Sequence, residues 1–337
     1  MNPADDSSGE LLLSIVVPVY NVAPYLNEGL QSLLQADFTE SYEVILIDDC
    51  SSDDSLAVCR KFASRHADIF QLIESSANAG VSVARNLGLE RARGRYLMFF
   101  DPDDILPAAT LDHICRAAEE YSADIVKGNL VLFDDSGQRA APDRVKRTAL
   151  ISNGAVLTTL FEHSRVRGHV GGKLYRRDKF AGLRFPVGVR MAQDLLFFSE
   201  LFAGADSLLL LAQDVYLYRK HPHGSTGGKY ARGSYIDWLY AVEESGKFAT
   251  NAVQARAHKG LLLRTMAQIA RECRKIPPQS AAPVLEVIEQ KCAQWNLGLV
   301  DLLFRDKLDL RDLGRYVKLQ LALRQIRRNQ AHSRREP

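Results

Sequence analysis

"EVILIDDCSSDDS", residues Glu43 to Ser55, passes from an unbroken apolar run straight into a cluster of aspartates and serines. Apolar residues without polar alternation mark a strand buried on both faces. The acids and serines then suit a turn opening a helix, with Ser51, Ser52 or Asp53 as its cap and Leu56, Cys59, Phe62 and Ala63 as its apolar face. The same order recurs on either side. Upstream, "SIVVPVYN" (14–21) is another buried strand; Pro24 then fits a first helical turn, and Leu26, Leu30, Leu33 and Leu34 follow at helical spacing. Downstream, "IFQLIE" reads as a short strand and "NAGVSVARNLGLERARG" as a helix closed by Gly94. "RYLMFF" is a fourth strand entering Asp101-Pro102-Asp103-Asp104, after which 107–121 reads as helix and "ADIVKGNLVLF" as strand.

Strands alternating with helices of this length predict βαβ units, hence an α/β fold with a mostly parallel central sheet flanked by helices. Three polar clusters, Pro18–Asn21, Asp48–Asp49 and Asp101–Asp104, fall at the C-terminal ends of predicted strands. Open α/β sheets bind ligands outside that edge. The first strand–helix turn carries no G-x-G-x-x-G, and the chain has no P-loop motif, which disfavours an ordinary dinucleotide or P-loop site. Each close pair of carboxylates costs about 1 kcal/mol even when solvated, so the acidic turn calls for a counter-charge. Carboxylates facing a phosphate need a divalent cation between them, and hard oxygen ligands suit Mg²⁺ or Mn²⁺. Asp48 or Asp49 can alternatively accept hydrogen bonds from a base or ribose.

With 337 residues, 25% of them charged, the chain is long enough for a substantial core and is neither disordered nor fibrous. No apolar run reaches the roughly 18–20 residues that cross a bilayer, and no secretory signal pattern is visible. The five cysteines form no C-x-x-C pair and read as free thiols of a reducing cytosol. The net charge of +2 divides into +6 over residues 311–337 and −4 over the rest. Scarcity of basic residues outside that tail disfavours a nucleic-acid partner.

"SIVVPVYNVAPYLNEGLQSLL", "VILIDDCSSDDS", "NAGVSVARNLGLERARGRYLMFFDPDDIL" and "AQDLLF" together resemble the family 2 glycosyltransferases of GT-A fold, inverting enzymes that use nucleotide-diphospho-sugars. The resemblance covers roughly residues 12–225. It implies that Pro18, Tyr20 and Asn21 border the base and ribose, and that Asp49 hydrogen-bonds the base, usually uracil, with Asp48 beside it. Asn78, Gly80 and Arg85 fall where such enzymes close over the nucleotide. The family's D-x-D motif falls on Asp101 and Asp103, with Asp103 the favoured ligand of Mn²⁺ or Mg²⁺ and Asp104 a further metal or sugar contact. "GGKLYRRDKF" matches a recurring family segment in which Lys173 points toward the site. "RMAQDLLFF" matches the segment whose Asp is the catalytic base, here Asp194; the usual Glu before it is Gln193, which removes a like charge beside the base. "YLYRKHPHGST" matches a closing segment in which Arg219, His221 and Ser225 reach the diphosphate.

The expected organisation is a flexible stretch at 1–11, a GT-A domain at 12–229 with a nucleotide half (12–135) and an acceptor half (136–229), and a helical C-terminal extension at 230–337. The implied activity is metal-dependent transfer from a nucleotide-diphospho-sugar, with UDP favoured, to a hydroxyl of a glycan or lipid-linked acceptor in polysaccharide synthesis. A sugar nucleotidyltransferase is the first alternative, although "PVYNVAPYL" lacks the Gly-rich basic loop which that chemistry uses. A non-catalytic nucleotide-sugar-binding module is the second. The expected location is the cytoplasm. The tail, with leucines set among arginines, admits peripheral contact with the inner face of a membrane or plain helix packing.

Overall fold

The computed structural model describes residues 11–295, apart from 37, 142–143, 163–165, 167–168, 181 and 222–231. The chain begins with β1 (Leu13–Val19), α1 (Ala23–Leu34), β2 (Tyr42–Asp48), α2 (Ser55–Arg65), β3 (Phe70–Glu74), α3 (Val81–Arg91) and β4 (Tyr96–Phe99). It continues with α4 (Thr110–Glu120), β5 (Ile125–Asp134), β6 (Arg139–Ala140), β7 (Ala149–Ser152), α5 (Ala155–Glu162), β8 (Lys173–Arg176), α6 (Gln193–Gly204) and β9 (Ser207–Lys220). Among the described residues the α-helices α7 (Arg232–Ser245), α8 (Ala252–Glu272) and α9 (Pro278–Gln294) follow.

The strands form one nine-stranded sheet in the order β3-β2-β1-β4-β8-β5-β9-β7, with β6 paired to β5. Six strands run the same way, so the sheet is mostly parallel, as expected of the α/β pattern. The short β8 runs antiparallel between β4 and β5.

Both faces of β1 are covered, which is why its sequence shows no polar alternation. Leu13, Ile15, Val17 and Val19 join one core with Leu26, Leu30 and Leu33 of α1, Cys59 and Phe62 of α2, and Leu111 and Ile114 of α4. On the other face α3 comes so close that a methyl on Gly88 would meet the Val16 side chain. At the strand-start edge, Glu43 is buried and accepts from Ser14 Oγ (2.7 Å), Gln71 Nε2 (2.8 Å) and Arg93 N (2.9 Å). This explains one departure from expectation: α3 stops at Arg91 rather than at Gly94, because the Arg93 and Gly94 amides are given to Ser14 Oγ instead of continuing the helix.

The chain divides into two compact units. One comprises 1–156, 168–187 and 204–228 and holds the sheet; the other comprises 157–167, 188–203 and 229–337. One division falls at 228/229, and most of α5 and α6 belongs with the C-terminal helices. Phe161 shows the reason, since its ring packs 5.3 Å from His258 of α8 and its carbonyl accepts from Arg264.

Candidate active site

In the sheet unit, β2 and β4 flank β1 in parallel, with Val19 opposite Asp48 and Val16 opposite Phe99. The residues following all three strands consequently emerge at one edge. Pro18 sits within β1 opposite Ile47, and Tyr20 beyond it is 50% exposed. Asn21 adopts a positive φ of 48° and its Oδ1 accepts from Ser52 N at 2.8 Å. Val22 N and Ala23 N, at the head of α1, donate to Ser55 Oγ (2.9 Å) and Asp53 Oδ2 (3.0 Å). The α1 terminus lacks a side-chain cap of its own, so the neighbouring loop satisfies its free amides. Asp53 also takes Ser55 N at 2.9 Å, and one carboxylate thus joins the starts of α1 and α2. Partial burial works against its charged form, but these hydrogen bonds outweigh that effect and hold its pKa low.

Asp49 is buried, with Oδ1 accepting from Ala79 N and Oδ2 from Gly80 N, each at 2.8 Å. Asn78 Nδ2 donates to the Asp49 carbonyl at 3.2 Å. The residue expected to meet a base is therefore also a clamp between the end of β2 and the start of α3; each carboxylate oxygen retains a second lone pair for a ligand. Gly80 has φ +90°, a conformation that favours glycine, and this lets its amide turn to Asp49. Asp48 accepts from Ser51 N at 3.1 Å through Oδ2, while its buried Oδ1 has no partner among the described residues.

The three carboxylates of the acidic turn meet three different partners. Asp101 Oδ1 accepts from Arg85 Nη2 at 3.0 Å, and the buried Arg85 guanidinium lies 5.3 Å from the Phe185 ring centre. Asp103 Oδ2 lies 2.9 Å from His221 Nε2, whose ring packs 4.3 Å from Tyr25. Asp104 Oδ1 accepts from Arg219 N at 2.8 Å. Burial, then the neighbouring Asp101 charge, pushes the Asp103 carboxyl up, against the pull of His221. Burial first, then Asp101 and Asp103, pushes Asp104 well above the ordinary carboxylate value. Asp104, expected as a further metal or sugar contact, is 1% exposed and is held from within by the Arg219 amide.

Arg219, expected to reach the diphosphate, is held by the acidic turn's surroundings. Its side chain is 7% exposed and its Nε, Nη1 and Nη2 donate to Asp103 O (2.9 Å), Asp135 Oδ1 (3.0 Å) and Glu28 Oε2 (2.5 Å). In the ligand-free chain the guanidinium is thus engaged on all three nitrogens and packed near Phe133 and Tyr25. Ser225 lies outside the described residues.

A model of glycosyl transferase family 2 matches residues 14–184, just over half of the chain. The chain belongs to that family. The uncharacterized glycosyltransferase EpsJ of Bacillus subtilis (strain 168) is 32% identical over 220 residues, covering 64% of this chain and 63% of EpsJ. TarS of Staphylococcus aureus (strain MW2), named a poly(ribitol-phosphate) beta-N-acetylglucosaminyltransferase, is 29% identical over 262 residues, covering 74% of this chain and 42% of TarS. Both matches span less than two-thirds of the relative's length. The crystal structure of S. aureus TarS 1–349 in complex with UDP-GlcNAc superposes with a TM-score of 0.63 at 21% identity, over 94% of this chain and 92% of that one. Mannosyltransferase PcManGT from Pyrobaculum calidifontis, in complex with GDP-Man and Mn²⁺, superposes at 0.52 with 16% identity, over 92% of this chain and 86% of that one. These likenesses show a shared GT-A-type fold.

In this family 2 chain Asp194 belongs to the second unit, in the first turn of α6, where its Oδ1 accepts from Leu195 N at 2.9 Å. A carboxylate is favourably placed there, at the positive end of the helix dipole. Lys173 is buried in β8 and its Nζ donates to the His169 carbonyl. Tyr216 was not legible as a site residue: its hydroxyl, fully buried, accepts from Asp101 N at 3.0 Å, and no linear motif links positions so far apart.

Proposed function

We propose that the chain is a metal-dependent inverting glycosyltransferase. In this reading it moves a sugar from a nucleotide-diphospho-sugar, with uridine the expected nucleoside, to a hydroxyl of a glycan or lipid-linked acceptor in polysaccharide synthesis. One observation carries the reading. Asp101, Asp103 and Asp104 are held together at the strand-end edge beside the Asp48–Asp49 end of β2, with Asp103 pushed up by burial and by Asp101. A cation bound beside Asp101 and Asp103 would offset the repulsion that their partners Arg85 and His221 offset in part.

The donor chemistry fits that cation. Asp101 and Asp103 are 25% and 24% exposed, and among the described residues no cluster of three or more His, Cys, Asp or Glu stands ready to enclose a metal. One or two carboxylates suit Mg²⁺ or Mn²⁺, which keep water and substrate phosphates as further ligands. Asp103 is the principal ligand in this reading, and Asp101 can join it by giving up Arg85. Bound there, the cation would offset charge on the diphosphate leaving group, a contribution of several kcal/mol. Tyr20, Asn21 and Asp49 face the nucleoside, while Asn78, Gly80 and Arg85 close over it. Asp194 takes the proton from the acceptor hydroxyl as its oxygen bonds the anomeric carbon and the diphosphate departs from the opposite face, which inverts the configuration.

The complexes of TarS with UDP-GlcNAc and of PcManGT with GDP-Man and Mn²⁺ support this class of donor and metal. We place the reaction in the cytoplasm, with the basic tail open to either peripheral contact with the inner membrane face or plain helix packing. Among the described residues no helix is long and apolar enough to cross a membrane, and the basic tail at 311–337 lies outside them. The deciding experiment is a calorimetric screen of UDP-, GDP- and dTDP-sugars with and without Mn²⁺. Metal-dependent binding of a UDP-sugar is expected; equal affinity for all donors with metal absent would remove the reading.

A further inference from the structure

Arg219 joins more of the acidic turn's surroundings than any one contact suggests. Its amide donates to Asp104 Oδ1 (2.8 Å) and its Nε to the Asp103 carbonyl (2.9 Å). The other guanidinium nitrogens reach Glu28 of α1 and Asp135 just past β5. Its planar face lies 4.6 Å from the Phe133 ring centre and 5.2 Å from that of Tyr25, the ring against which His221 packs. Two residues earlier on β9, Leu217 exchanges both backbone hydrogen bonds with Ile105, immediately after the turn.

We propose that Arg219 is a positioning residue, a brace that fixes the acidic turn so that the Asp103 carboxylate is held in one orientation. A planar guanidinium suits this work, because its donors diverge in a fixed fork and can hold three acceptors at once. The Asp103 carbonyl is pinned through Nε and the Asp104 carboxylate through the main chain. Glu28 and Asp135 stop the guanidinium from swinging away, and they neutralise a charge that would otherwise be buried alone. Both acids are largely exposed, at 60% and 62%, so their role is on Arg219 and not in the core. The inference extends the proposed cation role of Asp103, but the brace itself is a property of the ligand-free chain.

Amide hydrogen exchange on the full ligand-free chain reads the brace directly. The reporters are Asp104 N–H, bonded to the Asp101 carbonyl at 3.0 Å, and Ile105 N–H, bonded to the Leu217 carbonyl at 3.0 Å. Arg219→Lys keeps the charge and loses the fork; a Glu28→Ala/Asp135→Ala double variant leaves Arg219 in place and removes its anchors. Both should exchange at the turn at least about tenfold faster, a change typical of losing a charge-assisted hydrogen bond. Amides of β2 and β3 should be unchanged, Mn²⁺ affinity without nucleotide should fall, and binding of uridine, which has no phosphate, should be retained. If turn exchange and Mn²⁺ affinity stay at wild-type levels while Arg219→Lys weakens UDP and not uridine, Arg219 is a diphosphate ligand and the brace is wrong. A wild-type chain that binds neither Mn²⁺ nor UDP removes the proposed activity instead, and the exchange rates then decide the brace alone.

Discussion

Gly29 of α1 faces the carbonyl of Pro102 so closely that a methyl group built on it would stand 2.4 Å from that oxygen. The acidic turn therefore rests against a helix at a position only glycine allows. Alanine is the better helix former by about 1 kcal/mol, but the clash is with backbone and cannot be relieved by a rotamer change. Overpacking of this kind costs roughly 1–3 kcal/mol, so the clash should outweigh the propensity gain. Gly29→Ala is expected to lower the melting temperature and to weaken Mn²⁺ and UDP binding together. Gly204→Ala, at the end of α6 with nothing within 4 Å, is the matched control and should melt at or above wild type. Equal melting of the two variants would mean that the turn yields without cost.

Asp103 offers the opposite case, a residue whose removal should harm binding and spare the fold. Its carboxyl is pushed up by burial and by Asp101, so its charge works against the folded chain when no cation is present. Asp103→Ala relieves that charge but leaves His221 Nε2 buried without this partner, so the loss in stability should not exceed about 1–3 kcal/mol. Mn²⁺-dependent UDP binding should disappear. Calorimetry showing unchanged Mn²⁺ affinity would exclude Asp103 as the metal ligand.

The parallel half of the sheet was legible because β1, β2 and β4 are covered on both faces and each announces itself as an apolar run ending in polar residues. The clustering of Asp48–Asp49 and Asp101–Asp104 at one edge followed from that direction alone. The placement of β8 did not, because "KLYR" is only four residues long and its antiparallel seat between β4 and β5 is a matter of long-range pairing. Side-chain employment was hidden for a related reason. Whether Arg219 meets a diphosphate or Glu28 depends on residues 191 positions away, and a motif carries residue types without their partners. The joining of α5 and α6 with the C-terminal helices was equally beyond a linear reading, since it rests on packing such as that of Phe161 on His258.

His258 gives the helical unit a dependence on pH. It is buried in α8, with Nε2 2.6 Å from the Val242 carbonyl and its ring near Phe161, Trp295 and Gly246. Burial lowers its pKa below the ordinary 6.5, against the opposing pulls of the Val242 carbonyl and Glu243. The folded chain thus holds His258 neutral where the unfolded chain takes up a proton. Stability is full above about pH 6.5 and falls as pH drops through that value, by at most about 1.4 kcal/mol per pH unit from this group. In His258→Gln, whose amide can still donate to Val242, melting temperature should fall less steeply between pH 7 and pH 5. Parallel curves for the two proteins would assign the acid sensitivity elsewhere.

Asp194 is the proposed base, and the sharpest test separates proton acceptance from everything else a carboxylate does at a helix start. Asn is nearly isosteric, and its side-chain oxygen can still accept the Leu195 amide that Asp194 Oδ1 holds at 2.9 Å. The first turn of α6 should therefore persist in Asp194→Asn, with only a few tenths of a kcal/mol lost from the helix-dipole interaction. Donor and Mn²⁺ affinities should stay within a few-fold of wild type, because neither depends on the proton. Turnover should fall by roughly 10²–10⁴, the usual contribution of general-base catalysis. A collapse of donor affinity along with the rate would make Asp194 a binding group. Turnover that survives within a few-fold would move the base to another residue, and the Gln193 that stands where the family carries Glu would then mark a segment that has lost its catalytic role.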